Sequence, residues 1–582
     1  MTKFSAIPVA VIFVLIVATT ASAAATNPGP VNAGSPAAPF SQNKQNEPAL
    51  AVDAKHPNIL VAGANDNIDM EACNAGIDTT CPFTDGVGVS GVYFSFNSGK
   101  AWTQPTYTGL TARGCLGAVG NTDPDCTPTP GLIGTLPWYF EDGLVSDGDP
   151  AVAFGPRQVN GTFNWANGSR LYYANLTANL GATRSEEVFK GFEAIAVSRT
   201  DDVASAAAGN KNAWQHPVVI SKQSSTTFSD KEQIWADNAS SSSFFGNVYV
   251  CWANFIGQEK SPNAAPAQLK VAVSSDGGDT WTEHPIGAAA NNGQRNPLDG
   301  CTIRTDSTGT AYVFGIGTVS SQGHQSFELM SKSTDGGGTW SSPTPVAGPV
   351  NQPGTVDPVL GRPTIDGIAG ARSDLAPAPS VDIANGAPSG SDATNRIVMT
   401  YVSGPLATPH VYFTESTNAG ATWSTPRTLE SGVDRGYYTA PSISPDGTSV
   451  YVVYNAFTTD YQPTTGTPRT LVGVFLKATS STNLNTPTGA FSEVIRGAPG
   501  DPRGSSQNNL VGEFLGDYVY AVATRTYGAA VYNDTRSAAD CPAMDAWRQS
   551  RRTPPVGTRP APQQDCAPNF GNSDIFGFTT AP

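Results

Sequence analysis

The chain has 582 residues and a formal net charge of -15, with Gly 60 and Pro 46 but only 14% charged residues. Acidity on this scale disfavours nucleic acid or an anionic membrane surface as a partner, and a turn-rich, charge-poor composition suits many short strands rather than long helices. Length alone would suggest several domains, yet repeat proteins reach this size as one unit, so internal repeats decide the organisation.

The first 23 residues read as a signal peptide: Lys3, an apolar run from Ala6 to Ala18, and a small-residue cleavage site at Ala21-Ser22-Ala23. No Cys follows the cut and no later apolar run is long enough to span a bilayer, so the mature chain is expected to be secreted, extracellular or periplasmic, with no membrane span and as a monomer. Residues 24–42, rich in Ala, Pro, Asn and Gly, read as a flexible leader, and 43–582 as one domain. Four disulfides are expected: Cys73 with Cys81, Cys115 with Cys126 and Cys541 with Cys566 inside loop-like segments, and Cys251 with Cys301 between consecutive apolar runs. The absence of a C-x-x-C spacing argues against zinc. No motif requires a cofactor; the acidic stretches Asp78 to Asp85 and Asp123 to Asp125 are where calcium could bind.

From Glu47 onward a short apolar run with a carboxylate, a turn and a second apolar run recurs seven times. The copies lie near Glu47, from Asp149, after Glu232, after Asp299, at RPTIDG with a delayed RIVMTYVS, at APSISPDGTSVYVVYNAF, and at GEFLGDYVYAVATRTYGAAVYNDTR. Between these inner hairpins come outer ones. Four carry one phrase: Ser95 to Trp102 (SFNSGKAW), Ser274 to Trp281 (SSDGGDTW), Ser333 to Trp340 (STDGGGTW) and Ser416 to Trp423 (STNAGATW). Eroded copies start at Ala194 and Val474, and a terminal run SDIFGFTT completes the set. In the phrase, Asn97, Asp276, Asp335 and Asn418 can accept backbone N–H bonds across the turn, the following Gly permits positive φ, and the Trp is an apolar anchor. These are turn staples; Asn at two of the four positions argues against acid chemistry there.

The pattern S-x-D-x-G-x-T-W resembles the Asp-box, or bacterial neuraminidase repeat, of the sialidase-like β-propellers. The resemblance implies an all-β ring of four-stranded antiparallel blades. Repeat count favours seven blades; six, the number associated with sialidases, is the alternative. It also implies a partner among glycans or extracellular proteins. One reading is a secreted exo-glycosidase; the other is a non-catalytic propeller that binds through its long insertions, Ile68 to Val92, Arg113 to Ser146, Asp374 to Thr394 and Ala538 to Asn572.

In a propeller the first strand of each blade lines the channel, so polar residues at those strand starts converge. They include Glu47, Asp149, Asp230, Glu232, Asp237, Asp299, Arg362, Asp366, Glu513, Asp517 and Tyr518. Paired carboxylates can hydrolyse glycosides, and Glu513, Asp517 and Tyr518 are the candidate catalytic set, with Glu47, Asp149, Glu232, Arg362 and Arg536 as candidate substrate contacts. The bland reading of each is a channel carboxylate, a turn acceptor or, for Arg536, an ion pair. An active sialidase would further require three arginines, a Tyr–Glu pair and an Asp, the first arginine in an Arg-Ile-Pro motif. That motif is absent, and no Arg precedes Ser95. Arg304, Arg362, Arg396, Arg435 and Arg536 are the residues from which an unfamiliar cluster would have to form.

Overall fold

A computed structural model describes residues 26–34, 44–71, 84–115, 126–257, 268–287, 298–479, 488–505 and 515–582, apart from the single positions 182, 324, 354, 360, 362, 374, 406, 431 and 561. The signal segment, Cys73–Cys81 and most of both proposed calcium loops lie outside the described residues.

Seven small antiparallel sheets form a propeller. Their inner strands are Gln45–Val52, Ala151–Pro156, Thr227–Ala236, Leu298–Thr305, Ser380–Ile383, Arg435–Ile443 and Tyr520–Ala523, numbered here as blades one to seven. Each inner strand packs beside the next, and the seventh returns to the first. Between each pair of blades lies an apolar core, as where Ile195 and Val197 of blade two meet Ile234, Val250 and Trp252 of blade three. A single blade would leave both faces wet; the ring covers them all.

Closure corrects one expectation. Thr26–Pro30, inside the segment read as a flexible leader, is the outermost strand of blade seven and pairs antiparallel with Asp574–Thr579. Its two prolines fit an edge strand, where a missing N–H costs no ladder bond. Thr26–Pro30 and Asp574–Thr579 thus share one sheet, and Asn32 tightens the seam by accepting from Ile575 N at 2.8 Å.

The Asp-box phrases are the turns between third and fourth strands. In the second, Ser274 Oγ donates to Asp276 Oδ1 at 2.8 Å and accepts from Gly278 N at 2.8 Å, while Thr280 N donates to Asp276 at 2.9 Å. Asn97 and Asn418 repeat the acceptor role, taking bonds from Ala101 N and Thr422 N at 2.9 Å each. Bonds from the side chain and backbone of Thr339 and from Ser333 hold the Asp335 carboxyl down to about 2. Each box then leans on the preceding blade: Trp102, Trp281, Trp340 and Trp423 pack against the cores shared with blades seven, two, three and four. The boxes are inter-blade wedges.

Antiparallel order puts these boxes and the inner hairpin turns at one mouth of the channel, and the longer connections at the other. On the long-loop side Cys115–Cys126 closes the segment after Tyr107–Thr111, and Cys541–Cys566 closes the one carrying the helix Pro542–Arg552. Cys251–Cys301 ties the second strand of blade three to the inner strand of blade four. Three of the four expected disulfides are therefore present among the described residues and fit an oxidising compartment. No helix among these residues is long and apolar enough to cross a membrane.

The fifth blade differs from expectation. Its inner strand is Ser380–Ile383, paired with Ile397–Ser403, and RPTIDG lies outside it. Asp366 instead sits in a short 3-10 turn at φ 44°, paired with Arg435 and Arg469. The stretch Asp374 to Thr394 is consequently no single insertion; it contains the strand.

Two stability predictions follow from this packing. At Gly337, φ is +93° and a Cβ would stand 2.6 Å from Val273 Cγ2, whereas at Gly99, φ +81°, the nearest atom is 3.6 Å away. Both alanine variants carry the backbone cost of about 1 kcal/mol, and Gly337→Ala should lose a further ~1–3 kcal/mol from overpacking, read as the difference in urea midpoints. Separately, Glu328 in the third strand of blade four, Gln325–Ser333, is wholly buried, and among the described residues neither carboxyl oxygen has a hydrogen-bond partner. Burial pushes its pKa well above the ordinary value. The folded state then holds the proton more tightly than the unfolded chain, so this residue removes stability as pH rises above the unfolded pKa. Glu328→Gln should gain stability over the parent between pH 5 and pH 8; a difference that does not change with pH would contradict this.

Candidate functional site

At the long-loop mouth the inner strands share a device. In six blades one residue near the strand start is left-handed: Glu47 (φ 53°), Asp149 (φ 50°), Lys231 (φ 63°), Gly300 (φ 56°), Tyr438 (φ 39°) and Gly516 (φ 70°). At Glu47, Lys231, Gly300 and Tyr438 this coincides with a break in the ladder to the second strand. Such bulges re-aim side chains, and here non-glycine residues hold a conformation that costs of order 1–3 kcal/mol each.

Two of them, Glu47 and Asp149, reach the side-chain nitrogen of a third, Lys231. Lys231 Nζ lies 3.1 Å from Asp149 Oδ2, 3.1 Å from Asp517 Oδ2, 3.6 Å from Asp230 Oδ1 and 3.7 Å from Glu47 Oε1. The Tyr518 ring stands 5.6 Å away on the same ammonium. Four blades thus meet at one lysine that is 6% exposed. Contacts around it are close: a Cβ on Gly516 would fall 1.9 Å from Glu47 Cγ, so only glycine lets the seventh strand approach. Asn65 orients the pair, donating to Glu47 Oε2 at 2.7 Å and accepting from Asp149 N at 2.6 Å.

The carboxyl groups do not titrate alike. Burial, then the neighbouring Asp149 charge, pushes Glu47 well above the carboxylate range. Asp149 goes the other way: burial opposes ionisation, but Lys231 and a hydrogen bond from Glu47 outweigh it. Asp230 is raised by burial to about 7, and burial also raises Glu232 well above its ordinary value. Burial alone would deprotonate Lys231, yet Asp149, Asp230 and Glu47 hold its pKa well above the ordinary one. The result is a protonated Glu47 beside an ionised Asp149. A cavity of about 40 Å³ adjoins them, lined by Gln233, Gly300, Tyr438, Asp517 and Tyr518 among others, and the buried Tyr518 hydroxyl has no hydrogen-bond partner among the described residues. Tyr520, donating to Gln233, closes the floor of this space.

Of the residues expected from sequence, Glu47, Asp149, Glu232, Asp517 and Tyr518 come together here. Glu513 and Arg362 lie outside the described residues. Arg536 does not join; it forms an ion pair with Asp534 at 2.6 Å and stacks on Phe576 at 3.9 Å, in blade seven. Asp237 is also elsewhere, accepting from Ser242 and Thr305. Of the other arginines expected from sequence, Arg304 lies near Asp382, Arg396 by Glu415 and Arg435 on Asp366, while Arg372, not expected, lies near enough to Asp230 to favour its ionised form. Sequence reasoning passed over Lys231, although a lysine between Asp230 and Glu232 at a strand start is itself the signal. Glu71, Cys115 and Cys126 lie close enough to suggest a metal site, but both sulfurs are spent in a disulfide.

No family model and no curated protein matches the sequence. Among solved structures the chain is similar to a Hadza microbial sialidase, at 14% identity over 70% of this chain and 63% of that one, with a TM-score of 0.38. It is similar to the intramolecular trans-sialidase from Ruminococcus gnavus in complex with oseltamivir carboxylate, at 11% identity, 71% and 90% coverage and a TM-score of 0.39. A third is the α-L-arabinofuranosidase from Fusarium graminearum, at 12% identity, 76% and 94% coverage and a TM-score of 0.35. The chain spans less than two thirds of the first of these, and no site residue is assigned from any of them.

Removing the central charge should be felt strongly. Lys231→Met would leave the surrounding carboxylates uncompensated and is expected to cost about 3–5 kcal/mol at pH 7. The loss should shrink at pH 5, where the carboxyl groups take up protons, as read from urea midpoints at both values.

Proposed function

We propose that this protein is an exported glycan-active propeller that hydrolyses a neutral glycoside at its long-loop mouth. The observation that carries the reading is the gathering of Glu47, Asp149 and Asp517 within 3.7 Å of Lys231 Nζ, where burial drives Glu47 up and Lys231 holds Asp149 down. Pairs whose environments drive their pKa values apart mark acid and base. Glu47, protonated, would be the general acid toward the leaving oxygen. Asp517 would be the nucleophile or base: Glu47 and Asp517 lie 3.7 and 3.1 Å from the same nitrogen, so their nearest oxygens are separated by no more than 6.8 Å. That bound accommodates the ~5–5.5 Å of a retaining pair. Lys231 keeps Asp149 ionised, and the Tyr518 hydroxyl, which has no hydrogen-bond partner among the described residues, is a donor available for a sugar oxygen.

The substrate is proposed as neutral because a sialic acid carboxylate would enter a field of carboxylates, and the expected arginines Arg304, Arg396, Arg435 and Arg536 are each paired with a carboxylate elsewhere. One observation favours a second reading, in which the propeller only binds: Glu47, Asp149, Lys231 and Asp517 are each at most 7% exposed, as suits an internal strut.

A panel of aryl glycosides, with a sialoside included, separates the two. Turnover of a neutral glycoside, lost by about 100-fold or more in Glu47→Gln and Asp517→Asn at unchanged melting temperature, is the expected result. Glycan-array binding without turnover on any substrate would favour the strut and the binding reading.

A further inference from the structure

The channel has a second chamber. Below the Tyr520–Gln233 hydrogen bond, at the mouth that carries the short turns, lies a cavity of about 200 Å³. Residues from all seven inner strands or the turns that follow them line it. Its wall is largely apolar, with Leu50, Val152, Ile234, Ile443 and Val522 contributing from the inner strands, and Asp53 and Asp382 are the carboxylates in it.

One cation is built into that wall. Arg304 is 7% exposed, and its guanidinium lies 4.6 Å over the ring of Trp235. Its Nη1 donates to the Ile303 carbonyl at 2.7 Å. The nearest carboxylate, Asp382, stands 3.5 Å from Nε, but its oxygens already accept from Ile383 N, Ser442 Oγ and Ile443 N at 2.8–3.0 Å. That contact is an ion pair without a hydrogen bond, and Nε has no acceptor among the described residues; the Tyr520 hydroxyl is a further neighbour of the guanidinium. Arg525, at the rim of the same cavity, differs: it is clamped by both oxygens of Asp392 and by two backbone carbonyls. Arg304 is therefore the guanidinium whose planar fork is stacked and fixed, yet incompletely matched, against an apolar space.

We propose that this chamber binds a compact organic carboxylate, an aromatic or short branched acid whose carboxylate meets Arg304 and whose apolar body lies along Val152, Ile234 and Ile443. A guanidinium recognises a carboxylate through parallel N–H bonds, and a low-dielectric wall strengthens them. The volume limits the ligand to about one ring, below the usual range of drug-sized pockets. This site is separate from the Lys231 cluster and stands whether or not the chain hydrolyses glycosides.

The probe is benzoate, with benzamide as its uncharged match, titrated calorimetrically into the mature full chain. Parent crystals soaked in 4-iodobenzoate locate the site by the iodine signal. The expected result is saturable one-to-one binding of benzoate, weaker by about tenfold or more for benzamide and in Arg304→Gln, with iodine in the chamber. Because Arg304 is packed on Trp235 and its loss could unfold the protein, Ala523→Phe, which fills the cavity, is the second variant and should abolish binding. Absence of benzoate binding to the parent, iodine located elsewhere, equal affinity for benzamide, or full binding by a folded Ala523→Phe would overturn the proposal.

Discussion

A buried ammonium surrounded by carboxylates is the constraint on which the channel depends. Glu47, Asp149, Asp230 and Asp517 come from blades one, two, three and seven, and each lies within 4 Å of Lys231 Nζ. Without that charge the four would repel at short range in a medium that screens poorly. With it, residues separated by up to 470 positions in the chain share one centre, and burial, then the Asp149 charge, pushes Glu47 above the carboxylate range despite the lysine. The left-handed residues Glu47, Asp149 and Lys231 turn their side chains inward and hold a strained backbone conformation.

The two mouths divide the labour. Asp-box turns occupy one, each fixed by its own Ser and Asp or Asn and wedged by its Trp against the preceding blade. They make that face short and rigid. The opposite face carries the longer connections, two of them closed by disulfides, above the Lys231 cluster. A hydrogen bond from Tyr520 to Gln233 crosses the channel between them. Chemistry and binding can thus differ at the two ends without interfering.

Much of this was legible in the chain. The boxes and inner hairpins carried the blade count because each follows local turn chemistry, and Glu47, Asp149, Asp517 and Tyr518 were legible as strand-start residues in different repeats. What was not legible is instructive. Thr26–Pro30 carries two prolines and reads as a leader; only its place at an edge makes it a strand. RPTIDG mimics an inner strand, but Asp366 is captured by two arginines contributed by blade six and the loop within it, a long-range effect no local pattern encodes. Arg536 fails for the opposite reason, since its partner Asp534 lies two residues away and satisfies it locally. Lys231 was hidden by a search for carboxylates, whose common counter-ion it is.

The protonation states at the cluster are the most direct test of this account. Carboxyl-carbon NMR of the mature protein, with the Glu47 signal assigned by its loss in Glu47→Gln and the Asp149 signal by its loss in Asp149→Asn, measures both titrations. The account predicts a Glu47 that stays protonated well above the ordinary carboxylate range while Asp149 remains ionised to low pH. Two signals titrating together near pH 4, as exposed carboxylates do, would contradict it.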